Sequence, residues 1–164
     1  MAAANTESRG DDLQEKLINI RRVAKVEPVE WLPPLSAGHW GYRSKARLGV
    51  RYVPKKGRVL VGFRERGNSL VADLSRCDTL HPRVGERIAA IAELIDGLSI
   101  RERLPQIEVT MGDGPCVLVF RVLTPPSEHD LERLRAFGEA EGLHVYLQDG
   151  GADSVRPLPG HEID

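Results

Sequence analysis

The alternation of apolar and basic side chains over residues 42–53 constrains the fold of this chain more than any other feature. A period of two places successive side chains on opposite faces of a β-strand, so that one face is buried and the other is exposed. The apolar face would hold Ala46, Leu48, Val50 and Tyr52. The exposed face would hold Arg43, Lys45, Arg47 and Arg51. The pattern therefore predicts a half-buried strand with one strongly basic side.

A second strand is predicted directly after the first. Residues 54–57 read Pro-Lys-Lys-Gly, which is typical of a turn, and residues 58–65 place Val59, Val61 and Phe63 toward the core. Together the two strands would form a basic β-hairpin over residues 42–66 that protrudes from the domain. Its nine cationic residues are Arg43, Lys45, Arg47, Arg51, Lys55, Lys56, Arg58, Arg64 and Arg66.

The hairpin concentrates positive charge in an otherwise acidic chain. Residues 41–66 contain nine Lys and Arg and one acidic residue, a net charge of +8, whereas the rest of the chain carries 14 basic and 23 acidic residues, a net charge of −9. Because Lys and Arg make the phosphate contacts of nucleic-acid complexes, the nine cations are candidate nucleic-acid-binding residues. Charged side chains on an exposed strand also prevent edge-to-edge pairing, and this solubilising role stays open as the alternative.

Length and composition are those of a globular protein. With 164 residues the chain can bury a sizeable core as one domain, and its aromatic content of 5% argues against a surface that stacks single-stranded bases. No apolar run is long enough for a membrane span, and the first ten residues lack the apolar core of a signal peptide. Because two cysteines suit a reducing compartment, we expect a cytoplasmic protein with no membrane partner.

Four parts are predicted along the chain. Residues 1–11 would be a disordered N-terminus, and residues 12–40 would be an N-terminal helical arm, with the helix over 12–26, followed by a proline-rich linker. Residues 41–150 would form a central domain that contains the basic hairpin. Residues 151–164 would be a C-terminal tail.

The central domain is predicted to have an α+β fold. The elements expected after the hairpin are strand 69–74, helix 82–97, strands 106–111 and 116–123, helix 127–141 and strand 143–147. This order predicts a mostly antiparallel sheet that is covered by helices.

Recognisable catalytic motifs are missing from the sequence. There is no Gly-x-Gly-x-x-Gly after a strand, no phosphate-binding loop, and no metal-ligand spacing among the five histidines. His81 before Pro82 is predicted to cap a helix, and Cys116 in the apolar strand is predicted to fill the core. No catalytic residue is therefore predicted in this chain.

Several segments carry a resemblance to a known family. They are Tyr-Arg-Ser-Lys-Ala-Arg at 42–47, Gly-Phe-Arg at 62–64 and residues 69–77, with support from residues 123–125 and 141–147. These segments resemble the central domain of bacterial 23S rRNA (uracil-5-)-methyltransferases, of the RNA 5-methyluridine methyltransferase family. The resemblance extends over residues 12–158.

The resemblance implies a larger parent enzyme, of which this chain would be a fragment. In that family a β-barrel RNA-binding domain and a cysteine motif precede the central domain, and a C-terminal domain that follows it binds S-adenosylmethionine. A cysteine of that C-terminal domain attacks C6 of uracil, and the methyl group is transferred to C5. Because this chain lacks the S-adenosylmethionine site and the catalytic cysteine, methylation is expected only of the parent, whose neighbouring domains would be partners of this one.

Cys77 has a role in the family pattern. The resemblance implies that Cys77 is the fourth thiolate ligand of a [4Fe–4S] cluster whose other three ligands lie upstream, although Asp78 stands where the family usually has proline. A plain free thiol is the alternative, because such a cluster requires about four cysteine ligands. No cofactor is expected in this chain by itself; S-adenosylmethionine and the cluster belong to the parent.

Three hypotheses for the function remain open. The first is an RNA-binding central domain that orients ribosomal RNA, and not DNA, for an rRNA uracil-C5 methyltransferase. The second is a freestanding basic module that binds an acidic protein, and the third is a degenerate paralogue without a function. RNA binding that weakens steeply with salt would favour the first, because phosphate neutralisation releases counterions.

Overall fold

The computed structural model describes residues 38–65, 67–68 and 70–163, together with positions 23, 25, 29, 30, 32 and 33. The chain divides into two units, residues 1–36 and 37–164, and the fold described below is that of the second unit. The predicted disordered N-terminus and the predicted helix over 12–26, apart from positions 23 and 25, lie outside the described residues. The predicted domain boundaries at 11, 40 and 150 stay predictions.

The basic segment forms two antiparallel strands, β1 (Lys45–Val53) and β2 (Arg58–Gly62). A 3-10 turn, Pro54–Lys56, joins them and ends at Gly57, whose φ of 62° lies in the left-handed region that glycine adopts without strain. Lys45–Gly49 of β1 also pair with β3 (Gln106–Met111), so β1 lies inside the sheet. The prediction of a hairpin that protrudes from the domain is therefore not confirmed.

The described residues form a six-stranded sheet in the order β2-β1-β3-β4-β5-β6. The remaining strands are β4 (Cys116–Arg121), β5 (His144–Gln148) and β6 (Arg156–Pro157). All neighbouring strands run antiparallel except β4 and β5, which are parallel and are connected by a helix, as parallel neighbours require. The predicted α+β fold with a mostly antiparallel sheet is confirmed.

The helix predicted over 82–97 is divided into α1 (Pro82–Gly85) and α2 (Ile88–Asp96). The helix is interrupted because two of its backbone groups bond to residues 75 and 77 instead of to each other. Cys77 N donates to the carbonyl oxygen of Gly85 over 2.9 Å, and Ala89 N donates to Ser75 O over 3.3 Å. Residues 85 and 89 therefore cannot bond to each other. His81 accepts a hydrogen bond from Arg83 N, which confirms it as the helix cap.

Helix α3 (Glu128–Glu141) has the termini that the sequence predicts. The Ser127 hydroxyl accepts from Asp130 N, and the Asp130 carboxylate accepts from Ser127 N over 3.0 Å, which is a complete capping box. The helix ends at Gly142, with a φ of 63°. Both ends are thus determined locally, the first by side-chain capping and the second by the backbone conformation of a glycine.

The helices and the alternate side chains of each strand enclose one core. The core positions of the strands are Leu48, Val50, Val59, Val61, Ile107, Val109, Cys116, Leu118, Phe120, Val145 and Leu147. Ile88, Ile91 and Ile95 of α2 and Leu134 of α3 pack against them. The predicted burial of Cys116 is confirmed. The side chains between these positions along the strands point away from the helices and are exposed or half-buried, apart from Leu60.

Two segments differ from the predicted pattern. Residues 69–74 do not form the predicted strand, since the described part of this segment makes only an isolated bridge between Val71 and Arg64. Beyond residue 150, where no element was predicted, β6 pairs with β5, and Leu158 is buried with 4% of its surface exposed. Within the described residues, no helix combines the length and the apolar character needed to cross a membrane.

Candidate nucleic-acid interface

Strand β1 presents three cations on the side of the sheet that the helices do not cover. Lys45, Arg47 and Arg51 are exposed and alternate with the buried side chains of Leu48 and Val50, as the period of two predicts. We call these three residues the cationic face of β1. Side chains two residues apart on a strand lie about 7 Å apart, so the face is about 20 Å long.

The turn between β1 and β2 adds three more cations. Lys55 and Lys56 lie on the 3-10 turn, Arg58 begins β2 opposite Val53, and all three are exposed. We call Lys55, Lys56 and Arg58 the hairpin end. Because the turn connects paired strands, the backbone of these residues is held in one place.

Arg47 is paired with a carboxylate from the neighbouring strand. The register places Arg47 opposite Glu108 of β3, and Nη2 of Arg47 lies 3.0 Å from Oε1 of Glu108. Gln106 donates to the same oxygen over 2.9 Å. The Arg47 side chain is nevertheless 69% exposed, so its guanidinium is accessible to a further anion.

Lys56 and Arg58 share a second carboxylate. Nζ of Lys56 lies 2.8 Å from Oδ2 of Asp73, and Nη2 of Arg58 lies 2.7 Å from the same oxygen. The hydrogen bond from Lys56 lowers the pKa of Asp73, burial opposes this effect, and the charges of Arg58 and Lys56 add to it. Asp73 is therefore ionised at neutral pH, and the three side chains carry a net charge of +1.

Arg43 and Arg64 make contacts of other kinds. The Arg43 guanidinium lies 5.3 Å from the ring centroid of Phe63, which packs against the core, and this is a cation–π geometry. Arg64 donates to the carbonyl oxygen of Pro105 over 3.4 Å. Arg66 lies outside the described residues. The structure thus brings six of the nine predicted cations onto the cationic face and the hairpin end.

Two carboxylates that pair with these cations were not predicted from the sequence. The alternation of β3 places Glu108 on the exposed side, but only the register of β3 against β1 brings it to Arg47. No sequence signal relates Asp73 to Lys56, because residues 70–74 lie beside β2 through tertiary packing. These carboxylates reduce the local charge that a polyanion would meet.

Cys77 lies at the start of the helical layer and is half-buried. Its backbone N–H is bonded to Gly85, and its Sγ lies 3.2 Å from Oγ1 of Thr79. It also lines a cavity of about 380 Å³ with Trp40, Leu80 and others. The thiol is therefore next to a space that a larger group could enter.

The chain does not contain the ligand set of an iron–sulfur cluster. It has two cysteines, and Cys116 is buried in β4, where burial raises the pKa of its thiol while the charges of Arg83 and Arg87 oppose the increase. Among the described residues, no group of three or more His, Cys, Asp or Glu side chains could hold a metal ion. A four-thiolate cluster does not fit the residues present, and no reaction step is assigned to one.

Comparisons with known proteins provide the context for this surface. A search against protein-family models found no match. A protein of Methylococcus capsulatus named 23S rRNA (uracil(1939)-C(5))-methyltransferase RlmD is 56% identical over 148 residues, which are 89% of this chain and 33% of that protein. A protein of Nitrosococcus oceani with the same name is 53% identical over 156 residues, or 92% of this chain and 35% of that protein.

A third protein of the same name is also similar to this chain. The Alkalilimnicola ehrlichii protein of that name is 48% identical over an alignment of 172 positions, which covers 96% of this chain and 39% of that protein. This chain spans roughly a third of the length of the curated relatives that it matches. The resemblance predicted from the sequence is confirmed: over most of its length, this chain is similar to a segment of the bacterial 23S rRNA (uracil-C5)-methyltransferases.

Proposed function

We propose that this chain is the RNA-binding central domain of an S-adenosylmethionine-dependent rRNA uracil-C5 methyltransferase, and that it holds the RNA while another domain carries out the methylation. The observation that carries the proposal is the cationic face of β1, formed by Lys45, Arg47 and Arg51 on the side of the sheet opposite the helices. The relatives named as 23S rRNA methyltransferases support ribosomal RNA as the polyanion.

The geometry of the face suits a phosphodiester backbone. Its three cations extend over about 20 Å along one strand, and separate phosphates of a bound RNA can contact them. Lys55 at the hairpin end continues this line, and no hydrogen bond or ion pair holds its ammonium group among the described residues. Such contacts fix the position and direction of the RNA, but they do not read its sequence.

The side chains present suggest which step this chain performs and which step a separate domain performs. Its cations can bind and orient RNA, whereas the resemblance implies that S-adenosylmethionine and the nucleophilic cysteine belong to a separate C-terminal domain. We expect this chain alone to bind RNA and to transfer no methyl group. Its other partners would be the neighbouring domains of the parent enzyme.

Cys77 has a proposed role only within such a parent. The resemblance implies that Cys77 is one thiolate of a [4Fe–4S] cluster whose other three cysteines lie outside this chain. Its half-buried position next to a cavity supports this role, because a ligand must be reachable from the space that the cluster occupies. No part of the proposed RNA contact depends on the cluster.

The proposal is tested by removing charge from the cationic face. Lys45→Ala/Arg47→Ala is compared with the wild-type chain for binding to in vitro transcribed 23S rRNA, by filter binding from about 50 to 200 mM KCl. We expect affinity at low salt to fall about tenfold, and the slope of log K against log salt to flatten by about 0.7–0.9 for each phosphate that the variant no longer neutralises.

A matched variant controls for net charge. Arg133→Ala/Arg156→Ala removes the same charge from two exposed residues, one on α3 and one on β6. The control should leave the slope unchanged. If both double variants have the wild-type slope, the cationic face does not contact RNA and the proposal is wrong.

A further inference from the structure

We propose that Asp73 is an internal counter-ion that stands where an RNA phosphate binds, so that Lys56 and Arg58 form a two-cation phosphate site once the carboxylate is displaced. This inference rests on the proposed function, because it concerns the same cationic surface. It assigns to Asp73 the role of a competitor that limits how tightly the hairpin end binds a polyanion.

The geometry of the three side chains supports this role. Lys56 Nζ and Arg58 Nη2 approach one and the same oxygen of Asp73, at 2.8 and 2.7 Å. Two cationic donors that converge on one anionic oxygen form the arrangement that also binds a non-bridging phosphate oxygen. The carboxylate therefore marks a position that a phosphodiester can occupy with the same donors.

The two donors and the acceptor belong to different parts of the backbone. Lys56 and Arg58 lie on the turn and strand of one hairpin, and the pairing of β1 with β2 fixes their positions. Asp73 belongs to the loop over residues 70–74, which runs beside β2. In this loop, Ala72 N donates a hydrogen bond to Phe63 O over 2.9 Å. The carboxylate can therefore rotate away from its partners while the hairpin backbone keeps the cations in place.

All three side chains are also partly exposed to solvent. The side chains of Lys56, Arg58 and Asp73 are 49%, 53% and 34% exposed. Ion pairs with this degree of exposure are screened by water and salt and contribute little to stability. An incoming phosphate can therefore replace Asp73 without a large loss of folding free energy.

Displacement of Asp73 by a phosphate changes the local charge that the RNA meets. With Asp73 in place the three side chains present a charge of +1 to RNA, and without it they present +2. Removing one negative charge a few ångströms from a bound phosphate should tighten binding about three- to tenfold at low salt. It should also steepen the salt dependence by about 0.7 for each additional phosphate of a single strand that the site neutralises.

The experiment measures the affinity of a labelled oligouridylate for the full 164-residue chain by fluorescence anisotropy across a KCl series. Asp73→Asn is compared with the wild type and with Asp149→Asn. The control removes a carboxylate of the same kind, which pairs with Arg156 at 2.7 Å and lies near the opposite edge of the sheet. Asp73→Asn should bind more tightly and with a steeper salt dependence, whereas Asp149→Asn should resemble the wild type.

A second pair of variants assigns any gain to the two cations. Lys56→Gln/Arg58→Gln added to Asp73→Asn should abolish the gain, and the same pair in the wild-type background should have a smaller effect. Equal affinities for Asp73→Asn and Asp149→Asn, or weaker binding by Asp73→Asn, would overturn the inference. The result for Lys45→Ala/Arg47→Ala, which leaves Asp73 intact, tests the proposed function separately.

Discussion

At the scale of single residues, the charge of Asp130 makes the stability of the fold depend on pH. Its side chain is buried, with 1% of the residue exposed, and it accepts hydrogen bonds from Ser99 N over 2.8 Å and from Ser127 N over 3.0 Å. Burial alone raises the pKa of Asp130, but the hydrogen bonds from Ser99 and Ser127 outweigh it and lower the pKa to about 2. The carboxylate thus ties the start of α3 to the loop after α2.

This depressed pKa predicts a loss of stability in acid. Because the folded-state pKa lies below the unfolded value of about 3.9, the contribution is complete above about pH 5 and is lost progressively as the pH falls toward 2. The shift corresponds to about 2 kcal/mol of unfolding free energy. Urea unfolding of the wild type and Asp130→Asn between pH 2 and 7 should show a difference that shrinks below about pH 5.

An exposed carboxylate provides the comparison for this pH effect. Asp113→Asn, in the turn between β3 and β4, should follow the wild-type pH profile throughout. A constant difference between wild type and Asp130→Asn from pH 7 to pH 2 would show that the Asp130 charge does not stabilise the fold.

At the scale of elements, Gly62 determines how the loop that carries Asp73 lies against the sheet. A Cβ added at Gly62 would overlap the carbonyl oxygen of Ala72, so only glycine allows residues 70–74 to lie this close to β2. The close approach is reinforced by the bridge between Arg64 and Val71. The position of Asp73 next to the hairpin end therefore depends on a missing side chain in the neighbouring strand.

Gly62→Ala should accordingly cost more than a glycine substitution in open space. We expect about 3 kcal/mol of unfolding free energy, because backbone must move to relieve the overlap. Gly57→Ala introduces only the strain of a positive φ, since no atom lies within 4 Å of its added Cβ, and should cost about 1 kcal/mol. Chemical denaturation compares the two variants, and equal costs would contradict the close approach.

At the scale of the whole molecule, the residues that follow β5 complete the core. Leu158 is buried in the core cluster, and its N–H donates to Val145 O over 2.9 Å. His161 is 4% exposed, and its ring Nδ1 lies 3.2 Å from Leu143 O. Residues 156–161 are therefore part of the folded domain.

Leu158→Ala should destabilise the entire domain. Removal of a buried leucine side chain leaves a cavity and typically costs about 2–5 kcal/mol. Val155→Ala, at a position that is 41% exposed, should change the unfolding free energy by about 0.5 kcal/mol or less. Thermal unfolding monitored by circular dichroism tests both variants, and a Leu158→Ala protein as stable as Val155→Ala would exclude the packing described here.

Much of the fold could be predicted because the signals are local. The period of two in β1 identified the buried Leu48 and the exposed Arg47, and the Ser127 capping box located the start of α3. The break between α1 and α2 could not be predicted, because it results from the backbone of Ser75 and Cys77, outside the helical pattern, bonding to Ala89 and Gly85. The same holds for Leu158 and His161, whose burial depends on contacts with residues 143 and 145.

The candidate site, too, could be predicted only in part from the sequence. The sequence by itself determined which residues are cationic and that Lys45, Arg47 and Arg51 share one side of a strand, because alternation and charge are properties of adjacent residues. Only the tertiary structure decided that Glu108 pairs with Arg47, that Asp73 pairs with Lys56 and Arg58, and that Arg43 lies against Phe63. These contacts depend on strand register and loop packing, which are set by the burial of the whole core rather than by any local pattern.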